Sequence, residues 1–132
     1  MKVIDKLAWI HLQNKAILST KSFNKDKYYI PGGKRETGES DHEALIREVR
    51  EELTVELLPD TIQFVGVFEA QAHGHPEGTT VKMTCYTANY TGTLQPAAEI
   101  EEMRWLNNAD QDKISWVDIL IFNFLKEQNL LD

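Results

Sequence analysis

The sequence predicts an α/β domain in which a mixed sheet is flanked by two helices. Three observations lead there. Runs of β-forming residues separated by turn signals recur along most of the chain and read as strands. Two segments, after Ser40 and after Ser115, combine a helix-starting residue with apolar side chains at helical spacing. A length of 132 residues suits one domain over 1–132, large enough for a real core and too short for a second.

Lys6 to Leu12 and Lys15 to Thr20 are apolar-rich runs separated by Gln13-Asn14, which predicts an opening hairpin. Lys21 to Lys27 is polar and basic. Tyr28-Tyr29-Ile30 is then a brief strand that Pro31-Gly32-Gly33 ends, because proline lacks a donor and glycine permits positive φ. After a loop from Lys34 to Glu39, Ser40-Asp41-His42-Glu43 forms a Ser-x-x-Glu capping box with acidic residues in the first turn. Leu45, Val49 and Leu53, with Ile46 beside them, give this helix an apolar stripe, and it should stop near Leu53, before Pro59. Gln63 to Ala70 and Val81 to Tyr90 read as longer strands joined by the Gly74-His75-Pro76-Glu77-Gly78 loop, with Thr91-Gly92 closing the second. Glu102 to Leu106 reads as a short strand. Ser115 then caps a closing amphipathic helix that carries Trp116, Val117, Leu120, Ile121, Phe124 and Leu125.

The balance of 21 acidic against 14 basic residues argues against a surface that tracks a nucleic-acid backbone, while a small polyphosphate bound through metal stays allowed. Cys85 is the only cysteine, so no intrachain disulfide forms and a reducing compartment, the cytoplasm, is expected. The longest apolar run, Ile119 to Phe122, has four residues, and neither a signal peptide nor a membrane span is read. The sequence does not fix the oligomeric state, and a homodimer stays open.

Glu48, Glu51 and Glu52 stand at i, i+3 and i+4 on the polar face of the first helix, with small Ala44 among them. Successive helical residues advance by about 100°, so the three carboxylates fall within an arc of roughly 100° and are expected to converge on one small volume. Like charges that close repel, and a divalent cation between them would relieve the repulsion. The plain alternative is a solvated face pairing with Arg47 and Arg50.

Gly33, Glu39 and the run Arg47-Glu48-Val49-Arg50-Glu51-Glu52-Leu53-Thr54-Val55 resemble the Nudix box, Gly-x5-Glu-x7-Arg-Glu-apolar-x-Glu-Glu-x-Gly-apolar. Eight of its nine specified positions agree, as does the entry through Tyr29-Ile30-Pro31-Gly32-Gly33. The departure is Thr54 in place of glycine just after the helix, where a β-branched residue in the left-handed conformation costs on the order of 1 to 2 kcal/mol.

The resemblance implies a Nudix-type α/β/α sandwich with a mixed β-sheet, and Mg²⁺- or Mn²⁺-dependent hydrolysis of a diphosphate bond in a small nucleotide substrate by water attack on phosphorus. It implies Glu48, Glu51 and Glu52, with the Gly33 carbonyl, as metal ligands; Glu48 would alternatively orient or deprotonate the water. Arg47 and Glu39 match positions whose ion pair pins the loop onto the helix. Glu99, Glu101 and Glu102 occupy a region where family members often supply one further acidic ligand or base, and the sequence does not choose among them.

Other residues have readings of both kinds. His73 and His75 form a His-x-His pair able to contact phosphate or metal, although a Gly/Pro-rich loop favours an exposed turn. Cys85, in an apolar strand, reads as a small core residue, and His11 and His42 have no evident partner. Tyr28, Tyr29, Phe68 and Trp105 are able to stack on a base, but strand aromatics are more often core. The competing functional reading is a catalytically silent Nudix-like module that binds a nucleotide or nucleotide sugar, and loss of the box carboxylates would have favoured it. Substrate choice belongs to loops such as Lys21 to Lys27 and Gln71 to Thr80, which have no readable code. The sequence tilts weakly toward nucleoside triphosphates or their damaged forms, with ADP-ribose and dinucleoside polyphosphates open.

Overall fold

The computed structural model describes residues 2–72 and 74–132. Its strands are β1 (Lys2–Trp9), β2 (Leu12–Gln13), β3 (Ala16–Ser22), β4 (Gly32–Gly33), β5 (Glu56–Leu57), β6 (Gln63–Gln71), β7 (Thr79–Thr87), β8 (Tyr90–Thr91) and β9 (Ile100–Leu106). The helices are α1 (Asp41–Leu53) and α2 (Trp116–Glu127), with 3-10 turns at Pro59–Thr61 and Asn108–Lys113. A mixed sheet runs β4-β1-β7-β6, with β1 and β7 parallel and the outer pairs antiparallel. A second, antiparallel sheet runs β2-β3-β9, and β5 pairs with β8.

Side chains alternate across β1, as the two-residue strand period requires. Leu7 and Trp9 pack with Leu45, Val49 and Leu53 of α1, whereas Ala8 and Ile10 pack with Ile121, Phe122 and Leu125 of α2. This is the expected α/β/α sandwich. Each of those large apolar side chains contributes roughly 1.5–3 kcal/mol by leaving water, which fixes both helices against the sheet.

The opening differs from the simple hairpin the sequence predicts. The first strand begins at Lys2, ends at Trp9 and joins the mixed sheet, while β2 and β3 form a separate hairpin. Its turn is Asn14-Lys15, both at positive φ as a two-residue type I′ turn demands, rather than Gln13-Asn14. Tyr28 and Tyr29 make only isolated bridges, and the two-residue strand β4 is Gly32–Gly33 itself. Gly32 permits this: at φ +147 its Cα faces Leu7 O, and a Cβ there would lie 1.9 Å from that oxygen. Val81 to Tyr90 is divided between β7 and β8.

The capping box forms on α1, with Glu43 N–H donating to Ser40 Oγ at 3.2 Å and Ser40 N–H to Glu43 Oε1 at 2.9 Å. The helix ends at Leu53, and Thr54 takes the left-handed conformation that a glycine would adopt more easily, φ 64 and ψ 20. Two hydrogen bonds hold it there, Thr54 N–H to Arg50 O and Thr54 Oγ1–H to Thr93 O, both at 3.0 Å. The stripe on α2 is Val117, Ile121, Phe122 and Leu125, while Trp116 and Leu120 are exposed. Ser115 occupies the N-cap position of α2, but its hydroxyl makes no capping hydrogen bond. Among the described residues no helix is long and apolar enough to cross a membrane.

Candidate active site

The last two turns of α1 face the Gly32–Gly33 strand, and this contact defines the site. Glu52 points inward, 7% exposed, and its Oε1 accepts the Gly32 N–H at 3.1 Å. Burial pushes its carboxyl up to about 8 against the pull of that N–H, and the charges of Glu48 and Glu99 add to the rise. Glu48, half-buried, packs over the bare Cα of Gly33, where a Cβ would lie 2.2 Å from Glu48 Oε2. Its carboxyl is also raised by burial, with Arg47 opposing. Glu52, Glu48, Glu99 and the two glycines line one cleft of about 480 Å³.

The three box glutamates do not converge as the helical spacing predicts. Glu51 has a half-exposed side chain and accepts from Arg47 Nη1 at 3.1 Å, whereas Glu52 turns into the protein. Among the described residues no three His, Cys, Asp or Glu side chains gather as a metal cluster. An arginine supplies the reason. Arg47 Nε and Nη2 grip both oxygens of Glu39, at 2.7 and 2.9 Å; Nη1 reaches Glu48 at 2.8 Å as well as Glu51, and Nη2 also donates to Lys34 O at 3.1 Å. The guanidinium holds the Glu39 carboxyl down to about 2. The ion pair between Glu39 and Arg47 therefore forms as expected, and it also draws in two of the expected ligands.

Of the three auxiliary acids, only Glu99 faces the cleft. Glu101 pairs with Lys21, and Glu102 accepts from the Tyr28 hydroxyl. The Glu99 carboxylate has no hydrogen-bond partner among the described residues. The donor set of the cleft is all oxygen, which suits Mg²⁺ or Mn²⁺. Repelling, buried carboxylates with a glycine cradle fit a divalent cation.

Two cleft residues escaped the sequence reading. Asp118 lies on the buried stripe of α2, 1% exposed; its Oδ2 accepts the Ile30 N–H at 3.1 Å, and the Ser115 hydroxyl lies against its carboxyl. Burial pushes it up to about 7. Lys6 of β1 also lines the cleft. The available signal was a charge breaking an apolar periodicity: Lys6 between Ile4 and Ala8, and Asp118 at i−3 and i−4 from Ile121 and Phe122.

The remaining candidates separate cleanly. Cys85 is a core residue whose thiol burial pushes up to about 12. His11 stacks on Trp9 at 4.7 Å and His42 meets the Tyr86 ring edge-on, so both have aromatic partners. Tyr28 is buried, Phe68 packs edge-on against Phe124, and Trp105 lies beside His11, whereas Tyr29 lines the cleft. His75 is exposed at the cleft mouth, and His73 lies outside the described residues. Lys25 and Gln71 bring both predicted specificity loops to the same opening.

A pH dependence of stability follows. Glu52 keeps its proton in the folded state up to about 8, but loses it near the ordinary 4.5 when unfolded, so the unfolded state binds fewer protons between those values. Asp118 acts with the same sign from 3.8 to about 7. In chelator, unfolding free energy should therefore fall by on the order of a few kcal/mol from pH 5 to pH 8. Urea titrations across that range check this, and millimolar Mg²⁺ should flatten the decline by taking the proton's place.

The NUDIX domain family matches residues 6–120, most of the chain. The chain belongs to the Nudix family. It is accordingly a hydrolase acting on phosphorus-containing anhydrides, in a family that works on nucleotide derivatives and generally uses divalent cations. No curated protein matches it. Among solved structures it is similar to the Escherichia coli ORF135 protein, at 26% identity over 98% of this chain and 92% of that one, with a TM-score of 0.75. It shares its fold with a MutT protein from Methanosarcina mazei, at 17% identity, 97% and 96% coverage and a TM-score of 0.77. A NUDIX hydrolase from Nitrosomonas europaea is similar at 18% identity, 98% and 92% coverage and a TM-score of 0.76.

Proposed function

We propose that this one-domain Nudix protein is a Mg²⁺- or Mn²⁺-dependent pyrophosphohydrolase. It cleaves a diphosphate bond in a nucleoside triphosphate or another nucleoside diphosphate derivative by water attack on phosphorus. The observation that carries this reading is the pair of cleft carboxylates, Glu48 and Glu52, held against the glycine strand. Glu48, Glu51 and Glu52, with the Gly33 carbonyl, would hold the cation, Glu51 giving up its contact with Arg47. A divalent cation there neutralises the crowded phosphate oxygens.

The chain's own groups do the rest. Arg47, braced by Glu39, positions Glu48 and Glu51. Glu99, in the cleft and without a hydrogen-bond partner among the described residues, takes the proton of the attacking water. Glu99→Gln should lower kcat by about 10²-fold; near-normal turnover returns the base to Glu48.

Incubation with nucleoside triphosphates, nucleotide sugars, ADP-ribose and dinucleoside polyphosphates in Mg²⁺ or Mn²⁺, resolved by product, tests the function. Cleavage at a diphosphate bond that stops on chelation is the expected result. Tight binding without release of any product would reject it.

A further inference from the structure

The outer edge of the mixed sheet is open. β6 is its last strand, nine residues long, and beyond its ladder with β7 no backbone N–H or C=O of Gln63 to Gln71 finds a partner among the described residues. Open edges in folded proteins are usually blocked by lysine, proline or a covering segment. β6 carries neither lysine nor proline. Its one charge is engaged within the sheet, since Glu69 lies opposite Lys82 of β7 and accepts the Thr80 hydroxyl at 2.6 Å.

Apolar side chains flank that edge on both faces. The register slips between Phe64 and Gly66, so Phe64 and Val67 stand opposite Tyr86 and Thr84, two residues apart on β7, and both emerge on the α1 side of the sheet. The helix leaves them uncovered. Phe64 is 62% exposed, meeting the Tyr86 ring edge-on, and Val67 is half-exposed. On the α2 side Phe68 meets the Phe124 ring at 5.4 Å, and Leu120, one turn before Phe124 on the same side of the helix, is exposed. An unpaired edge bordered by apolar side chains is the surface that strand addition covers.

We propose that a second copy of this chain covers it: β6 pairs antiparallel with its own counterpart about a twofold axis near Gly66 and Val67, joining the two mixed sheets into one. Charge and shape favour this occupant over a strand of a different protein. About that axis the two Glu69 carboxylates stay about 17 Å apart, beyond the ~8 Å screening length at physiological salt, so no like charges oppose each other. Directly opposed residues in an antiparallel pair point the same way, so Phe64 and Val67 of both copies merge into one apolar strip. The area is also sufficient. Nine residues make a seam about 30 Å long, and side chains on both faces widen it to ~25 Å, close to the roughly 800 Å² per copy that a stable dimer buries.

Sedimentation velocity on the full chain, from about 1 to about 200 µM, measures the association. The wild type should behave as a reversible dimer with a Kd on the order of micromolar. F64K and V67K each place a lysine on the open edge, and each should raise that Kd by about tenfold or more while circular dichroism keeps its native form. Amide hydrogen exchange gives a second reading that needs no variant: raising the protein concentration should slow exchange in Gln63 to Gln71 and leave β3 unchanged. A wild type that stays monomeric throughout the range would overturn the proposal. So would a dimer whose Kd neither folded variant alters, or concentration-dependent protection confined to another element, because either places the contact elsewhere. Association is read without nucleotide or metal, so this inference and the hydrolase reading stand or fall separately.

Discussion

Glu52→Gln should lower kcat in Mg²⁺ by about 10³-fold or more while leaving the fold intact. The substituted amide keeps an oxygen to accept the Gly32 N–H, so the contact between α1 and the glycine strand survives. What disappears is the charge. Wild-type Glu52 carries a carboxyl pushed up to about 8 by burial, and a cation must displace its proton for the site to load. The same substitution should raise the stability of the metal-free protein at pH 8 by on the order of 2 kcal/mol, because no buried acid then has to hold a proton that the unfolded chain would release. Steady-state kinetics and urea unfolding of one preparation read both effects. Near-normal turnover in Mg²⁺ would remove Glu52 from the machinery.

Arg47→Gln should damage both activity and stability. Arg47 bridges Glu39, Glu48, Glu51 and the Lys34 carbonyl, tying the loop after β4 to the helix that carries the box. Removing it leaves the half-buried Glu48 without its countercharge, at a cost of about 2 kcal/mol in unfolding free energy. Loss of the support beneath two proposed ligands should lower kcat/KM by about 10²-fold and raise the Mg²⁺ concentration needed for half-maximal activity. Arg47→Lys keeps the charge but not the fork that grips both Glu39 oxygens, and should fall between. An Arg47→Gln variant with unaltered Mg²⁺ dependence would show that the network is structural only.

The fold was readable because local signals agreed with one another. Ser40 and Glu43 box the start of α1, Leu45, Val49 and Leu53 mark its buried face, and the strands from Gln63 and Val81 announce themselves by composition. Where the reading went astray, a distant partner decided. β1 extends back to Lys2 because β7 pairs with it from Thr79 onward, and Gly32–Gly33 becomes a strand because Leu7 and Ala8 lie alongside. Neither partner is within reach of a local pattern.

The sequence by itself determined the family and the helix that bears the box, since both depend on spacing along a continuous stretch of chain, and the resemblance implied the bracing of Arg47 by Glu39 that the structure forms. Only the tertiary structure decided which carboxylates share a solvent-poor cleft. Helical geometry assigns Glu48, Glu51 and Glu52 to one face, but burial against β4 turns Glu52 inward, and Arg47 holds Glu51 outward. Glu99 was one of three equivalent acids until Lys21 and Tyr28 claimed the other two. Asp118 reaches the Ile30 N–H across 88 residues of sequence separation. The physical reason is that periodicity sets the direction of a side chain, whereas desolvation and ion pairing depend on what packs against it, and that is supplied by other parts of the chain.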